Sequence, residues 1–86
     1  MNLRPAGTEA PYHAREDAIP NSYIVLFYPG HTLPKHFEFL ERKFETKLAL
    51  DWCYFADLDD ELFQAVRRDP GVKSIEDESS WEVELE

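Results

Sequence analysis

LDDELFQAVRRDPGVKSIEDE, residues 58–78, holds a helix, its stop and the strand that follows. Asp59 is a side-chain acceptor placed to cap the helix. Asp60 and Glu61 in the first turn and Arg67 and Arg68 in the last each sit at the dipole end that favours their sign. Pro70 and Gly71 stop it, because proline lacks the N–H a helix interior needs and glycine turns at no steric cost. VKSIEDE, residues 72–78, then resumes as a strand. A helix that feeds straight into a strand has to return that strand to a sheet.

The chain upstream supplies the sheet. SYIVLFY, residues 22–28, is β-branched and aromatic and is closed by Pro29 and Gly30, which predicts a first strand ending in a turn. Thr32 is placed to cap a helix from Leu33 to Phe44, with Pro34 tolerable in the first turn and Leu33, Phe37, Leu40 and Phe44 at helical spacing. TKLALDWCYFADL, residues 46–58, is rich in strand formers, with Asp51 and Trp52 as its one bend, and predicts a hairpin of two short strands. The order βαββαβ predicts an α+β chain of the ferredoxin-like kind, a four-stranded antiparallel sheet with two helices on one face. The first strand is apolar at every position from Tyr23 to Tyr28, so an apolar row has to point away from the helices. That open face predicts a partner surface, unless the N-terminal arm folds over it.

With 86 residues the chain has room for one domain and one modest core. Residues 1–20 carry three prolines, one glycine and scattered charge without apolar periodicity, so residues 1–19 are expected to form a flexible arm. The domain is then expected over residues 20–78 and an extended C-terminal tail over residues 79–86. The net charge is −9, and the stretch from Asp57 to Glu86 holds eleven acids against three bases. Nucleic acid and anionic membrane are therefore excluded as expected partners. The longest apolar run, Tyr23 to Tyr28, falls far short of the roughly 20 residues a membrane helix needs. Cys53 is the sole cysteine, so no internal disulfide forms, and the N-terminus has no basic-then-apolar signal region. A reducing, cytoplasmic setting is the expectation.

Two blocks of the sequence resemble the inhibitor I9 family, which comprises the propeptides of subtilisin-like proteases and the small fungal proteinase B inhibitors. Ser22-Tyr23-Ile24-Val25-Leu26-Phe27 is similar to the family's opening strand. Residues 58–78 look like its final helix, its Asp-Pro-x-Val turn and its Val-Glu-x-Asp strand. Where family members have Gly-Phe or Gly-Tyr entering the third strand, this chain has a shorter segment with Trp52 and Cys53. The resemblance implies a non-catalytic inhibitor of a subtilisin-like serine protease, vacuolar or secreted, with the inhibitor a monomer when free. The open sheet face would pack on two surface helices of the enzyme, with Glu76 and Glu78 capping those helices' N-termini. In an extended strand the two carboxylates share one side, as two neighbouring caps require. The residues read alone leave an alternative: Glu76, Asp77 and Glu78 as a solvated charge run that deters edge pairing.

The tail residues Trp81, Glu82, Val83, Glu84 and Leu85 would lie substrate-like in the protease groove as an added strand. Counting as the family does from Glu76, Trp81 falls in S4, Val83 in S2 and Glu84 in S1, while Leu85 and Glu86 project past the catalytic serine. Trp81 would be the anchor; its alternative is to fold back on the open sheet face. Two other functions share the same sequence features: a propeptide-like folding chaperone of a subtilisin-like enzyme, and a non-inhibitory interaction module whose acidic tail docks a basic partner. No catalytic residue is assigned. His13, His31 and His36 read as surface histidines without a nucleophile at a telling spacing, and Cys53 reads as a small core residue. The sequence has no Cys/His ligand spacing, phosphate-cradling glycine loop or calcium loop, so no metal or other cofactor is expected.

Overall fold

The Asp59 side chain accepts the N–H of Leu62 at 2.8 Å and opens a helix over Asp60–Arg68. Around it the computed structural model describes residues 3–5 and 7–79. In chain order the elements are β1 (Tyr12–His13), β2 (Ala18–Phe27), α1 (Leu33–Leu40), β3 (Leu48–Ala49), β4 (Cys53–Asp57), α2 (Asp60–Arg68) and β5 (Val72–Ser79). They make an α+β fold with one five-stranded sheet in the order β1-β5-β2-β4-β3. The pairs β5–β2, β2–β4 and β4–β3 are antiparallel, and β1 is parallel to β5. The expected four-stranded antiparallel sheet is therefore corrected to a mixed sheet of five.

The fifth strand comes from the segment assigned to a flexible arm, which is docked instead. The Ala10 N–H bonds the Arg67 carbonyl at 2.9 Å and the Ile75 N–H bonds the Pro11 carbonyl at 2.9 Å. Arg4 donates from its guanidinium to the carbonyls of Arg67 and Val72, and its backbone N–H reaches the Pro70 carbonyl at 3.1 Å. The tie is made to backbone groups left over at the end of α2 and along the edge of β5. Such contacts leave no apolar periodicity for composition to register. Ala10 is wholly buried, and the Tyr12 ring meets Phe63 edge-on at 5.1 Å. The segment lies beside β5 at the sheet's edge and not across the open face.

The registers assign the two faces. Tyr23 opposite Ala56 and Val25 opposite Tyr54 and Ile75 put the core on the helix side. Val25, Phe27, Tyr54, Ala56 and Ile75 pack there with Leu58, Leu62, Val66 and Val72. Burying each large aliphatic contributes about 1.5–3 kcal/mol, so this one layer supplies most of the hydrophobic stabilisation of a small chain. The first helix ends earlier than its apolar spacing predicts. Glu41 takes the left-handed conformation at φ 60°, its N–H bonds the Glu38 carbonyl at 3.2 Å, and the Arg42 N–H bonds the Phe37 carbonyl at 3.3 Å. This is a Schellman-type end. Phe44 then returns to the core from the loop, its ring 4.9 Å from Phe37. Its helical spacing reflects a shared destination and not a shared helix. Asn21 is the other left-handed residue, at φ 63°, in the irregular stretch of β2 between the pairs Ala18–Ser79 and Tyr23–Asp77.

Candidate functional site

Because side chains alternate along a strand, the residues between the core positions form the second face. Leu48 lies opposite Phe55, Phe55 opposite Ile24 and Ile24 opposite Glu76, one row across β3, β4, β2 and β5. Leu26 with Cys53 and Ser74 makes the next row. Ile24, Leu26 and Phe55 are half-buried, whereas Leu48 is 50 % and Trp52 59 % exposed. No helix of the described residues packs on this side. Cys53 is buried within it, and burial pushes its thiol pKa up, which disfavours the reactive thiolate.

Glu76 and Glu78 both project from β5 onto this face, and both already have partners. Glu76 meets Arg15 at 3.0 Å. Glu78 accepts from Ser22 Oγ at 2.5 Å and lies 3.2 Å from Lys47 Nζ, which also lies 3.3 Å from Asp57. Asp77 between them turns to the helix side, where it accepts from Tyr12 Oη at 2.5 Å and the Arg15 N–H at 3.0 Å. The three acids are thus divided between two faces, and the simple solvated run is not what forms. Trp81, Glu82, Val83, Glu84 and Leu85 lie outside the described residues.

On the helix side sits a polar cluster with no counterpart among the expected sites. His31 in the turn after β2, His36 in the first half of α1 and Asp69 just past α2 converge above Tyr54 of β4. Asp69 Oδ2 lies 2.5 Å from His36 Nδ1 and 2.9 Å from His31 Nε2, Asp69 Oδ1 accepts the Gly71 N–H at 2.9 Å, and His36 Nε2 lies 2.8 Å from Tyr54 Oη. His36 is 0 %, Asp69 2 % and His31 9 % exposed, so the expectation of surface histidines is corrected for both. Burial lowers the His36 pKa and outweighs the pull of Asp69 in the other direction. Burial alone would raise the Asp69 pKa, but hydrogen bonds from His36, the Gly71 N–H and His31 bring it below the ordinary carboxylate value. The group is then an ionised Asp69 beside a neutral His36 that donates from Nδ1 and accepts the Tyr54 O–H at Nε2.

The structural need for this cluster is clear. A buried carboxylate without donors is costly, and here the donors come from segments far apart in sequence. The cluster fastens the start of α1 to the end of α2. Its sequence signal was the pair His31 and His36 on either side of a Thr32 cap, together with the acid ahead of Pro70, but residues 31 and 69 meet only in three dimensions. Compared with known proteins, the chain matches no family model and no curated protein.

Proposed function

We propose that the protein inhibits a subtilisin-like serine protease, docking its open sheet face on the enzyme and laying the tail beyond β5 along the substrate groove. The observation that carries this reading is the row Leu48, Phe55, Ile24 and Glu76 on a face that no helix of the described residues covers, with Glu78 two residues further along the same strand. It offers an apolar patch bordered by two carboxylates, the chemistry that suits a pair of helices presented N-terminus first.

The ion pairs on those carboxylates do not oppose the role. Exposed pairs contribute about 0–1 kcal/mol each. A carboxylate at a helix N-terminus gains about 0.3–2 kcal/mol. Exchanging Arg15 and Lys47 for helix N-termini is therefore close to neutral or favourable, and the apolar row adds its burial on top.

The test is a titration of the full chain against a panel of subtilisin-like and trypsin-fold serine proteases. Slow or tight inhibition of at least one subtilisin-like enzyme, with none of the trypsin-fold enzymes, is expected. No inhibition of either class at micromolar protein would refute the proposal.

A further inference from the structure

The donors at the buried cluster are two imidazole nitrogens and one carboxylate oxygen, all within 4.8 Å of one another. That set is the one zinc and its neighbours take from proteins when three residues bind and a fourth position stays open. Two of the three candidates have their remaining polar atom engaged. His36 holds Tyr54 Oη through Nε2 at 2.8 Å, which aims Nδ1 at the centre, and Asp69 holds the Gly71 N–H through Oδ1 at 2.9 Å, which aims Oδ2 there. Partners of this kind orient metal ligands.

We propose that His31 Nε2, His36 Nδ1 and Asp69 Oδ2 form a site for a divalent transition metal of the Zn2+ or Co2+ class. The inference is independent of the protease reading. Protons now occupy the positions a metal would take, and the exchange balances without releasing any from a neutral imidazole. His36 passes from the Nδ1–H to the Nε2–H tautomer, donating to Tyr54 Oη, and His31 likewise moves its proton to Nδ1. A dication offsets the buried Asp69 charge, and the strongly acidic chain, at −9, favours cation approach. Bonds of about 2.0–2.1 Å require the donors to open from their hydrogen-bonded spacing. The pair that has to open most is His36 Nδ1 and Asp69 Oδ2, at 2.5 Å, and the opening can come from Asp69, which lies past the last turn of α2 and is shared by both contacts. His31 lines a surface cleft with Gly30, Thr32, Pro34, Leu50 and Asp51, so of the three ligands it is the one that borders open space.

The experiment uses the full chain, stripped with chelator and titrated with CoCl2 and then ZnCl2. It is read by calorimetry, by the visible ligand-field bands of Co2+, by thermal melting, and by the imidazole signals in NMR. One equivalent of metal, tetrahedral-type Co2+ bands, a raised Tm and shifts at His31 and His36 but not His13 are expected. His31→Ala should abolish binding, Tyr54→Phe should weaken it by about 10–100-fold through loss of the orienting partner, and His13→Ala should change nothing. If His31→Ala does not fold, the NMR shifts in the unaltered chain decide alone. No saturable binding, binding that survives His31→Ala, or shifts centred on His13 would each overturn the site.

Discussion

Gly71 lies flat against the imidazole of His31, and a Cβ built at Gly71 would overlap the ring at Cγ, Nδ1 and Cδ2. The atoms met are the root of a buried ring and not the end of a flexible chain, so the ring has to leave. Leaving breaks its bond to Asp69 Oδ2 at 2.9 Å. Gly71→Ala is expected to destabilise the fold by about 1–3 kcal/mol, the range for forcing extra volume into a packed site. Denaturant unfolding checks this, and the double variant Gly71→Ala with His31→Ala should be less destabilised than the two single effects add up to. Strict additivity would mean that the two residues do not press on each other.

Deleting residues 1–13 removes Arg4, Ala10 and the β1 strand, and with them the hydrogen bonds to Arg67, Pro70, Val72 and Ile75. Carbonyls and N–H groups at the end of α2 and along β5 are uncovered, and Phe63 loses the Tyr12 ring. A loss of roughly 2–4 kcal/mol is expected, since some of these groups regain water while each one that stays buried unpaired costs about 1–3 kcal/mol. Urea unfolding of the truncated chain measures it. An unchanged midpoint would show that the segment adds nothing to stability.

The same segment marks where the sequence stopped being informative. Helix α2 was legible because every local signal agreed: the Asp59 cap, acids then bases along the dipole, and the Pro70 and Gly71 stop. The hairpin between Leu48 and Asp57 was legible from its strand formers and its bend at Asp51 and Trp52. Alternation placed Glu76 and Glu78 on one face because a strand has period two. Docking of Ala10 and Arg4 was not legible, since it uses backbone partners that carry no side-chain pattern. The early end of α1 was hidden because Phe44 sits at helical spacing while the Glu41 turn sets its position. The His31, His36 and Asp69 cluster was hidden for a different reason: 33 residues separate His36 from Asp69, and only the return of β5 to the sheet brings them together.

Arg15 and Lys47 hold the two carboxylates that the proposed docking needs. If Glu76 and Glu78 cap helices of the enzyme, Arg15→Ala and Lys47→Ala should each tighten inhibition by about 2–5-fold, the scale of one exposed ion pair. Glu76→Gln and Glu78→Gln should weaken it. Inhibition constants at low and moderate salt test the set, with melting as a check that the fold survives. Weaker inhibition by both alanine variants, with both glutamine variants neutral, would place the contact on the cations and remove the capping role.

Deleting residues 81–86 should leave the domain folded and still able to bind the protease but unable to block its active site. A free octapeptide covering residues 79–86 would lose about 1–2 kcal/mol of conformational freedom per residue on binding, and it carries one large anchor, Trp81. Alone it should bind weakly and be cut. Attached behind β5, the same residues reach the groove at the effective concentration set by a docked sheet, and they return to it after any cleavage. The carboxylate at Glu84 should be costly in an apolar S1 pocket, where it loses water without gaining a partner. Glu84→Leu is therefore expected to tighten inhibition of a subtilisin with such a pocket, while an enzyme with a basic S1 pocket should respond in the opposite direction. The measurements are an inhibition constant and, separately, binding to the catalytically inactive protease, so that docking and blocking are read apart. An inhibition constant unchanged by the six-residue deletion would put the blocking contact elsewhere on the molecule, and loss of binding together with inhibition would make the tail, not the sheet, the main docking element.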